Sequence, residues 1–482
     1  MARDVVLGVD SSTQSTKVVV LDVATGDIVS EGRAPHSGND VQHPDEWWAA
    51  LVAATRAAIT PDLHIRGISV GGQQHGFVTL DAHGAVVAPA PLWNNVDAAD
   101  DAQRLNKLAD FPKAVGSKLV ASFTIAKLAH LARTDPATFS RVAMICLPHD
   151  WVTYRLTGRL VSDRGDASGS GWWSPSTGQI RQDLLALAVG EDAAGRLHVP
   201  QVLGPMEAAG TLLPAAAAEL GLPAGIIVGP GTGDNMAASL GIGAASGEIV
   251  ISLGTSGTAF AVSPAATSDP TGEVAGFADA TGRFLPLACM LNCTRVVDSV
   301  ARMVGMERVA ALDRAAELAP GANGLLLLPY FDGERTPDLP FATGSLQGLT
   351  SETADPGLLV RAALDGVAAG LAYCTAALDR LGVSSDSVTL VGGGSHHQAW
   401  RQAIADATGM TVIVREAGEA AARGAALQAL ALVTGTPIDQ VITQARPAVE
   451  AEVAPRAGAR EAFRLAERRV LIDRMRTNAS AN

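Results

Sequence analysis

Two segments of the chain repeat one pattern, and this repeat restricts the possible folds more than any other feature. LGVDSSTQSTKVVVLD (residues 7–22) and EIVISLGTSGTAFAVS (residues 248–263) each contain an apolar run, a turn rich in hydroxyl side chains and a second apolar run. Short runs rich in Val and Ile are typical of strands. The repeat predicts two halves with a shared topology, whose equivalent turns face one cleft. The alternative is a chance similarity between two polar hairpins.

Length and composition bound the remaining choices. A chain of 482 residues is too long for one ordinary core, and we expect two domains, residues 1–245 and 246–482. Strands alternate with helical patterns, which places the protein in the α/β class. The net charge of −13 argues against nucleic acid or an anionic membrane as the main partner. Four cysteines form no disulfide framework and no apolar run approaches the ~20 residues of a membrane span, so a cytoplasmic protein is expected.

The first hydroxyl-rich turn follows a carboxylate. Asp10 ends the first apolar run, and Lys17 follows the turn. Backbone amides and hydroxyls in a tight turn can hold a phosphate, while a carboxylate holds a hydrated Mg²⁺ that offsets the phosphate charge. The alternative is a polar hairpin in which Asp10 caps the turn.

A second candidate is GPGTGDNMAASLG, residues 229–241. Its glycines let the backbone approach a ligand closely, and Asp234 sits near the start of a small-residue helix. The helix dipole favours the charged form of a carboxylate there. Asp234 is therefore predicted to stay ionised and to act as a modest base that orients a hydroxyl, as phosphoryl transfer requires. The alternative is a simple helix cap.

Two further loops carry polar groups. GGQQHG, residues 71–76, offers Gln74 and His75 to a polyhydroxylated ligand, and Trp93 and Asn94 can add a flat wall and an amide. No metal-ligand spacing surrounds His75. VGGGSHHQAW, residues 391–400, is a glycine turn that can admit a nucleotide against bare backbone. Its spacing is not that of a dinucleotide-binding fingerprint.

Together these motifs resemble the FGGY family of carbohydrate kinases, and most closely its xylulokinases. The resemblance runs over essentially the whole chain and in the family's order. It comprises VDSSTQSTK, HPDEWW, GGQQHG, LWN, SFTIAKL, LPHDW..RLTG, GTGDN, SLGTSGT, LPYFDGERTP, GSLQGLT, GGGS....W and RGAALQA.

The resemblance implies two RNase H-like domains of the actin and sugar-kinase superfamily. The sugar binds to the first domain and ATP to the second, in the cleft between them. It implies Mg²⁺-dependent transfer of the ATP γ-phosphate to a pentulose, D-xylulose before other candidates such as ribulose or arabinitol. A homodimer is a family-level expectation. Two alternatives share the fold without this activity. An ATP-switched actin-like protein has no need of the sugar pocket formed by GGQQHG and GTGDN, and a non-catalytic sugar sensor is opposed by the presence of both Asp10 and Asp234.

The resemblance also assigns roles by position. Asp234 matches the catalytic base and Asp10 the metal-associated carboxylate. The sugar contacts match Gln74, His75 and Asn235, with Trp93 and Asn94 as further members of the sugar site. The positions matched to ATP are Thr13 and Lys17 in the first turn, Gly254, Thr255 and Ser256 in the second turn, and Gly393, Gly394 and Ser395 in the later glycine turn.

Two departures from the family pattern concern the site. Asn95 and Asp97 stand where the family often has Asp and Arg, which removes a cation near the sugar loop and leaves the exact sugar open. Ser12 and Ser15 stand where relatives commonly have glycine. We therefore expect a stiffer first turn that bonds phosphate through side-chain oxygens.

Overall fold

A computed structural model describes residues 3–480; residues 1–2 and 481–482, at the outer ends of the two predicted domains, lie outside the described residues. The strands of the first half are β1 (Arg3–Ser11), β2 (Ser15–Asp22), β3 (Ile28–Pro35), β4 (Val41–Gln42), β5 (Leu63–Gly72), β6 (Val78–Leu80), β7 (Val86–Ala88), β8 (Ala90–Pro91), β9 (Met144–Cys146), β10 (Val161–Asp163), β11 (Trp173–Ser174), β12 (Gln179–Ile180), β13 (Gln201–Leu203), β14 (Gly210–Thr211), β15 (Ile227–Val228) and β16 (Thr232–Gly233). Those of the second half are β17 (Ile249–Leu253), β18 (Gly257–Ala261), β19 (Ala275–Ala278), β20 (Phe284–Met290), β21 (Leu326–Leu328), β22 (Ser345–Gln347), β23 (Ser387–Val391), β24 (Thr411–Arg415) and β25 (Val449–Val453).

Helices connect and cover these strands. They are α1 (Pro44–Ala58), α2 (Ala99–Leu108), α3 (Phe111–Val115), α4 (Thr124–Thr134), α5 (Pro136–Ser140), α6 (Pro148–Thr157), α7 (Arg164–Ala167), α8 (Gln182–Val189), α9 (Glu191–Arg196), α10 (Pro214–Leu220), α11 (Asp234–Gly241), α12 (Thr294–Met303), α13 (Arg308–Glu317), α14 (Pro356–Asp379), α15 (Gln398–Thr408), α16 (Ala420–Thr434), α17 (Ile438–Gln444), α18 (Ala459–Ala462) and α19 (Leu465–Ser480).

The predicted repeat of topology is confirmed. One seven-stranded sheet has the order β14-β15-β5-β1-β2-β3 with β16 beside β5, and the other has the order β19-β20-β18-β17-β23-β24-β25. In the first sheet β1 is antiparallel to β2 and parallel to β5. In the second, β17 is antiparallel to β18 and parallel to β23. The two hydroxyl-rich turns therefore occupy equivalent places, each beside the end of a parallel neighbour.

Burial explains why the central strands are almost wholly apolar. Val5, Val6, Leu7 and Val9 are all fully buried, so side chains on both faces of β1 lie under covering elements. Strands of parallel sheets covered by helices on both faces have this composition. The alternating polar pattern of a half-exposed sheet is accordingly absent from β1.

Helix α14 bears on the expectation that no apolar segment is long enough to span a membrane. It spans 24 residues, with Pro356 in its first turn and the Asp355 side chain accepting a hydrogen bond from the Leu358 amide at its N-terminus. It is long and apolar enough to cross a membrane, with a mean hydropathy of 1.4 over its most apolar window. However, 89% of that window is buried inside the protein. Its apolar composition thus serves the core of the second half.

Helix α16 crosses between the halves. It follows β24 of the second sheet but packs on β1, β5 and α11 of the first half. A Cβ atom on Gly8 would lie 2.0 Å from the Ala422 carbonyl oxygen, and one on Gly424 would lie 1.7 Å from the Ala237 carbonyl oxygen. Glycine at these places lets the backbones touch. Residues 420–434, predicted to belong to the second domain, therefore pack against the first half.

Candidate active site

Three strand ends of the first sheet bring the main candidate residues together. Asp10 of β1 is paired with Gly71 of β5, and Thr232 of β16 is also paired with Gly71. The chain continues from β5 into Gln74 and from β16 into Asp234. Because the three strands run parallel, Asp10, Gln74 and Asp234 emerge at one edge of the sheet, where α/β proteins bind ligands.

Asp10 is a buried carboxylate with an unused oxygen. It is 7% exposed, and its Oδ1 atom has no hydrogen-bond partner within the described residues. Burial raises the pKa of Asp10 to about 6, against the opposing charge of Lys17. A nearby cation would remove this penalty. Carboxylate oxygen is the ligand type that Mg²⁺ prefers, so Asp10 fits a magnesium position.

The first turn, residues 12–14, is joined to the two loops that carry Gln73 and Trp93 through the hydroxyl of Thr13. Thr13 Oγ1 donates to Gln73 Oε1 at 3.0 Å and accepts from Trp93 Nε1 at 2.9 Å. Ser12 Oγ donates to the Ser15 carbonyl oxygen at 2.9 Å. In this arrangement the Ser12 proton closes the turn, and side-chain contact with phosphate stays a prediction. A hydroxyl here replaces the conformational freedom of glycine with a hydrogen bond.

Lys17 already has a partner in the structure. Its Nζ atom lies 2.5 Å from Glu419 Oε2, at the residue that precedes helix α16. Lys17 is therefore an ion-pair partner across the halves rather than a free counter-charge. Any phosphate that approaches it must share it with Glu419.

Asp234 heads helix α11 and is held by its neighbour. Its Oδ1 atom accepts hydrogen bonds from the backbone amide and the side-chain amide of Asn235, at 2.7 and 2.9 Å. Burial, followed by the charge of Asp10, raises the pKa of Asp234 to about 7. The pKa of Asp234 is thus not held low by the helix dipole as predicted, and the carboxylate titrates near neutral pH. Loss of solvation outweighs the dipole here.

Asn235 connects the base to both halves. Its Nδ2 atom donates to Gln74 Oε1 at 3.2 Å, and its Oδ1 atom accepts from Thr258 Oγ1 of β18 at 3.0 Å. The Nε2 atom of Gln74 is buried and has no partner among residues 3–480. An unpaired buried donor is costly, and a ligand hydroxyl would satisfy it.

His75 is a neutral, oriented side chain. Its Nδ1 atom lies 2.9 Å from the Gly169 carbonyl oxygen, so it donates there and leaves Nε2 as an acceptor. The ring stacks on Phe123 with 4.8 Å between centroids. Burial, helped by the charges of Arg335 and Lys127, lowers the pKa of His75 to about 3. Lys127 Nζ in turn donates to the His75 carbonyl oxygen at 2.8 Å.

The glycines around Asp234 pack closely against other protein atoms. A Cβ atom on Gly229 would lie 2.5 Å from Ser69 Oγ, and one on Gly233 would lie 2.8 Å from Gln74 Cγ. These glycines therefore make room for buried protein atoms, and their close approach to a ligand stays a prediction. The loop is consequently packed tightly against β5 and the residues that follow it.

The second turn is largely exposed, whereas the later glycine turn is exposed at Gly393 and buried at Gly394 and Ser395. Gly254 and Thr255 are exposed, and Thr294 Oγ1 donates to the Gly254 carbonyl oxygen at 2.8 Å. A Cβ atom on Gly394 would lie 2.9 Å from Leu253 Cβ, which places the two turns side by side, whereas one on Gly393 would meet nothing within 4 Å. The remaining members of this group are Ser256, which is part-exposed, and Ser395, whose Oγ donates to the Gly392 carbonyl oxygen at 2.7 Å.

The two other sugar-loop candidates differ in placement. Trp93 is joined to the first turn through Thr13, as described, whereas Asn94 is exposed. Asn95 is buried, and its Nδ2 atom donates to Asp40 at 3.0 Å and Asp97 at 3.1 Å. Asn95 and Asp97 therefore stabilise the loop itself.

Comparison with known proteins identifies the family to which a chain with these candidate site residues belongs. The model of the FGGY family of carbohydrate kinases, N-terminal domain, matches residues 5–241, and that of the C-terminal domain matches residues 249–433. The chain belongs to the FGGY family of carbohydrate kinases. It is 46% identical to a xylulose kinase of Streptomyces rubiginosus over 439 residues, which are 89% of this chain and 88% of that protein. It is also 33% identical to a xylulose kinase of Escherichia coli over 86% of this chain and 87% of that protein.

Solved structures agree with this assignment to the FGGY family. The crystal structure of a xylulose kinase from Bifidobacterium adolescentis is 36% identical, with a TM-score of 0.84, and covers 97% of this chain and all of that one. A structure from Brucella ovis, 31% identical with a TM-score of 0.89, covers 98% and 99% of the two chains. The predicted α/β class, with two actin-like domains flanking a cleft, is confirmed.

Sequence reasoning missed a charged cluster beneath the Asp234 loop. His149, Asp150, Asp163 and Asp166 are each at most 3% exposed. They come from LPHDW and VSDRGD, segments that carry no glycine loop and no metal-ligand spacing. The only indication of this cluster in the sequence is that four ionisable residues stand among apolar ones. Nothing in a single sequence places these four residues near Asp234.

Proposed function

We propose that this FGGY kinase transfers the γ-phosphate of ATP to D-xylulose and forms D-xylulose 5-phosphate. The observation that carries the proposal is the meeting of Asp10, Gln74 and Asp234 at one sheet edge, with an unpaired oxygen on Asp10 and an unpaired donor on Gln74. The similarity to xylulose kinases supports the choice of sugar. Ribulose and arabinitol are the alternatives.

Asp234 is the proposed catalytic base. The sugar oxygen forms a bond to the γ-phosphorus while the bond from that phosphorus to the ADP oxygen breaks, and the hydroxyl proton passes to the Asp234 carboxylate. A base works best when its pKa lies near the working pH, and the pKa of Asp234 is about 7. Asn235 holds this carboxylate in place through two hydrogen bonds.

The sugar is proposed to bind to residues 1–245, the first of two proposed domains. The unpaired Nε2 of Gln74 donates to one hydroxyl, and the neutral His75 ring accepts from another through Nε2. Trp93 supplies a flat wall beside the first turn. Asn94, being exposed, is proposed to reach the sugar only at the mouth of the site.

ATP is proposed to bind to residues 246–482, the second domain, with its phosphates between the two turns. Magnesium, when bound, would neutralise phosphate charge, and Asp10 would hold it. Thr13 of the first turn, through its backbone, and Lys17 just after the turn, shared with Glu419, are proposed for the phosphates. The residues proposed for the rest of ATP are Gly254, Thr255 and Ser256 in the second turn, and Gly393, Gly394 and Ser395 in the later glycine turn, where the open backbone of Gly393 suits the adenosine.

A cytoplasmic location fits this chemistry. All four cysteines are free and buried, as expected where thiols remain reduced, and the reaction needs ATP. A homodimer remains a prediction, to be tested by light scattering during gel filtration.

The test is a coupled ADP-release assay with Mg-ATP and a panel of sugars. The panel contains D-xylulose, D- and L-ribulose, D-arabinitol, xylitol, D-fructose and glycerol. We expect D-xylulose to give the highest kcat/KM, and Asp234→Ala to bind ATP but to lose most phosphorylation. Folded protein that turns over none of these sugars would overturn the proposal.

A further inference from the structure

The charged cluster beneath the Asp234 loop has no part in the proposed chemistry, although it is completely buried. His149 Nδ1 lies 2.7 Å from Asp166 Oδ2, and His149 Nε2 lies 3.3 Å from Asp150 Oδ1. Burial opposes a charge on the ring, but the charges of Asp150 and Asp166 prevail and raise the pKa of His149 to about 10. The ring is hydrogen-bonded to Asp166 through Nδ1, while Asp150 lies close to Nε2 without a hydrogen bond to it.

A metal ion is the other occupant that such a cluster can have. His149 Nδ1 is engaged by Asp166 Oδ2, whereas His149 Nε2, Asp150 Oδ1 and Asp166 Oδ1 have no hydrogen-bond partner among residues 3–480. An ion could take these three atoms without breaking the 2.7 Å contact. With or without an ion, the cluster is joined to the Asp234 loop through Asp163.

Asp163 links this cluster to the loop. Its Oδ2 atom accepts from Thr232 Oγ1 at 2.7 Å and from the Gly165 amide at 2.8 Å, while its Oδ1 atom accepts from the Asp166 amide at 2.9 Å. Thr232 lies two residues before Asp234 and is itself fully buried. A charge-assisted hydrogen bond in a dry environment is strong and directional, so it fixes the strand that leads into Asp234.

The loop is confined from two other directions. A Cβ atom on Gly231, whose φ is +76°, would lie 2.5 Å from the His149 ring, so that ring forms the floor of the loop. From helix α16, Gln428 Nε2 donates to the Gly231 carbonyl oxygen at 3.1 Å. The backbone just before Asp234 is thus bonded or in contact on each side.

We propose that Asp163 is a positioning residue for the catalytic base and acts through the hydroxyl of Thr232, with His149 as the rigid floor. This inference rests on the proposed role of Asp234. The hydrogen bond holds the carboxylate where it meets the sugar hydroxyl. Displacement of a reacting group by about 1 Å can cost up to a hundredfold in rate.

The test removes the Thr232 hydroxyl while keeping the volume of the side chain nearly the same. Thr232→Val deletes the donor, Thr232→Ser keeps it, and Thr153→Val is the matched control because the buried Thr153 hydroxyl has no partner within residues 3–480. For Thr232→Val we expect kcat with D-xylulose to fall at least about tenfold, with the Kd of Mg-ATP unchanged. Thr232→Ser should retain kcat within about threefold of wild type, and Thr153→Val should retain it fully.

Each result decides between positioning and general stability. A Thr232→Val enzyme with wild-type kcat would overturn the inference, and so would a loss of kcat that Thr153→Val shares. If Thr232→Val does not fold, Asp163→Asn replaces it, since the amide can still cap α7 but presents no second charged oxygen, and the same fall in kcat is expected. Failure of wild-type protein to phosphorylate D-xylulose would refute the proposed function instead.

Discussion

Replacing Asp234 by Asn should remove activity and, at the same time, stabilise the protein at alkaline pH. The cause is the cost of burying this carboxylate beside Asp10, which raises its pKa from the ordinary value of 3.8 to about 7. Asn keeps an oxygen for the two hydrogen bonds from Asn235 and carries no charge. The substitution therefore removes the cost and retains the local bonds.

The direction in which stability changes with pH follows from the number of protons bound by the folded and the unfolded protein. Between pH 3.8 and about 7 the folded protein retains a proton on Asp234 that the unfolded chain has lost. Stability therefore falls as pH rises through this window, and the whole cost is present above pH 7. Each pKa unit corresponds to about 1.4 kcal/mol, so the cost reaches about 4 kcal/mol at pH 8 and about 2 kcal/mol at pH 5. These are upper limits because Asp234 is half-buried and solvent screens part of its charge.

The measurement is urea denaturation of wild type and Asp234→Asn at pH 8 and pH 5. We expect the variant to be more stable at both, with roughly twice the gain at pH 8. Asp386→Asn is the control, because Asp386 is exposed and its carboxylate has no hydrogen bond or ion pair among the described residues. A variant no more stable than wild type at pH 8, or an equal gain at both pH values, would refute the reasoning.

Three further predictions concern the base, the metal and the packing of the halves. Because Asp234 must lose its proton to act as base, kcat/KM for D-xylulose should fall about tenfold from pH 8 to pH 6 at saturating Mg²⁺; a flat profile would contradict this. Asp10→Asn should lower kcat by at least about a hundredfold and raise the Mg²⁺ concentration for half-maximal rate, and unchanged Mg²⁺ dependence would exclude the metal role. Gly424→Ala should destabilise the protein by about 3 kcal/mol or more in urea, because its Cβ would lie 1.7 Å from the Ala237 oxygen. Gly195→Ala, where a Cβ meets nothing within 4 Å, should have little effect.

The fold and the strand-end loops could be predicted because their signals are local. Apolar runs, glycine turns and the repeated hydroxyl-rich turn lie within short windows of sequence. The partners of individual polar groups could not be predicted in this way. Thr13 bonds to Gln73 and Trp93, 60 and 80 residues away, and Lys17 to Glu419, 402 residues away. A hydroxyl in a turn looks the same whether it faces phosphate or another side chain.

The ionisation of Asp234 was mispredicted for a related physical reason. A helix N-terminus is visible in the sequence, and its dipole favours charge by about 1 kcal/mol or less. Burial depends on the whole tertiary structure and outweighs the dipole here. The same holds for His149, whose charge depends on three carboxylates from α6, β10 and α7. Local sequence indicates which groups can titrate, and packing decides at which pH they do.

The path of the chain restricts how the cleft can move. The backbone passes between the two sheets at residues 242–248, 416–419 and 445–448, because α16 and α17 return to the first half before β25 rejoins the second sheet. Glu248 lies at the first passage, where it accepts from Thr389 at 2.5 Å and pairs with Arg446 at the third. Helices α11 and α16 are locked backbone to backbone, so they must move as one body with the first sheet. The halves also touch away from these passages, because the Gly276 amide donates to the Gly116 carbonyl oxygen at 3.0 Å and the Ala278 amide donates to Ser168 Oγ at 3.1 Å. Any opening of the cleft would have to break these bonds, whereas the loop that carries Asp234 would keep its hydrogen bond to α16.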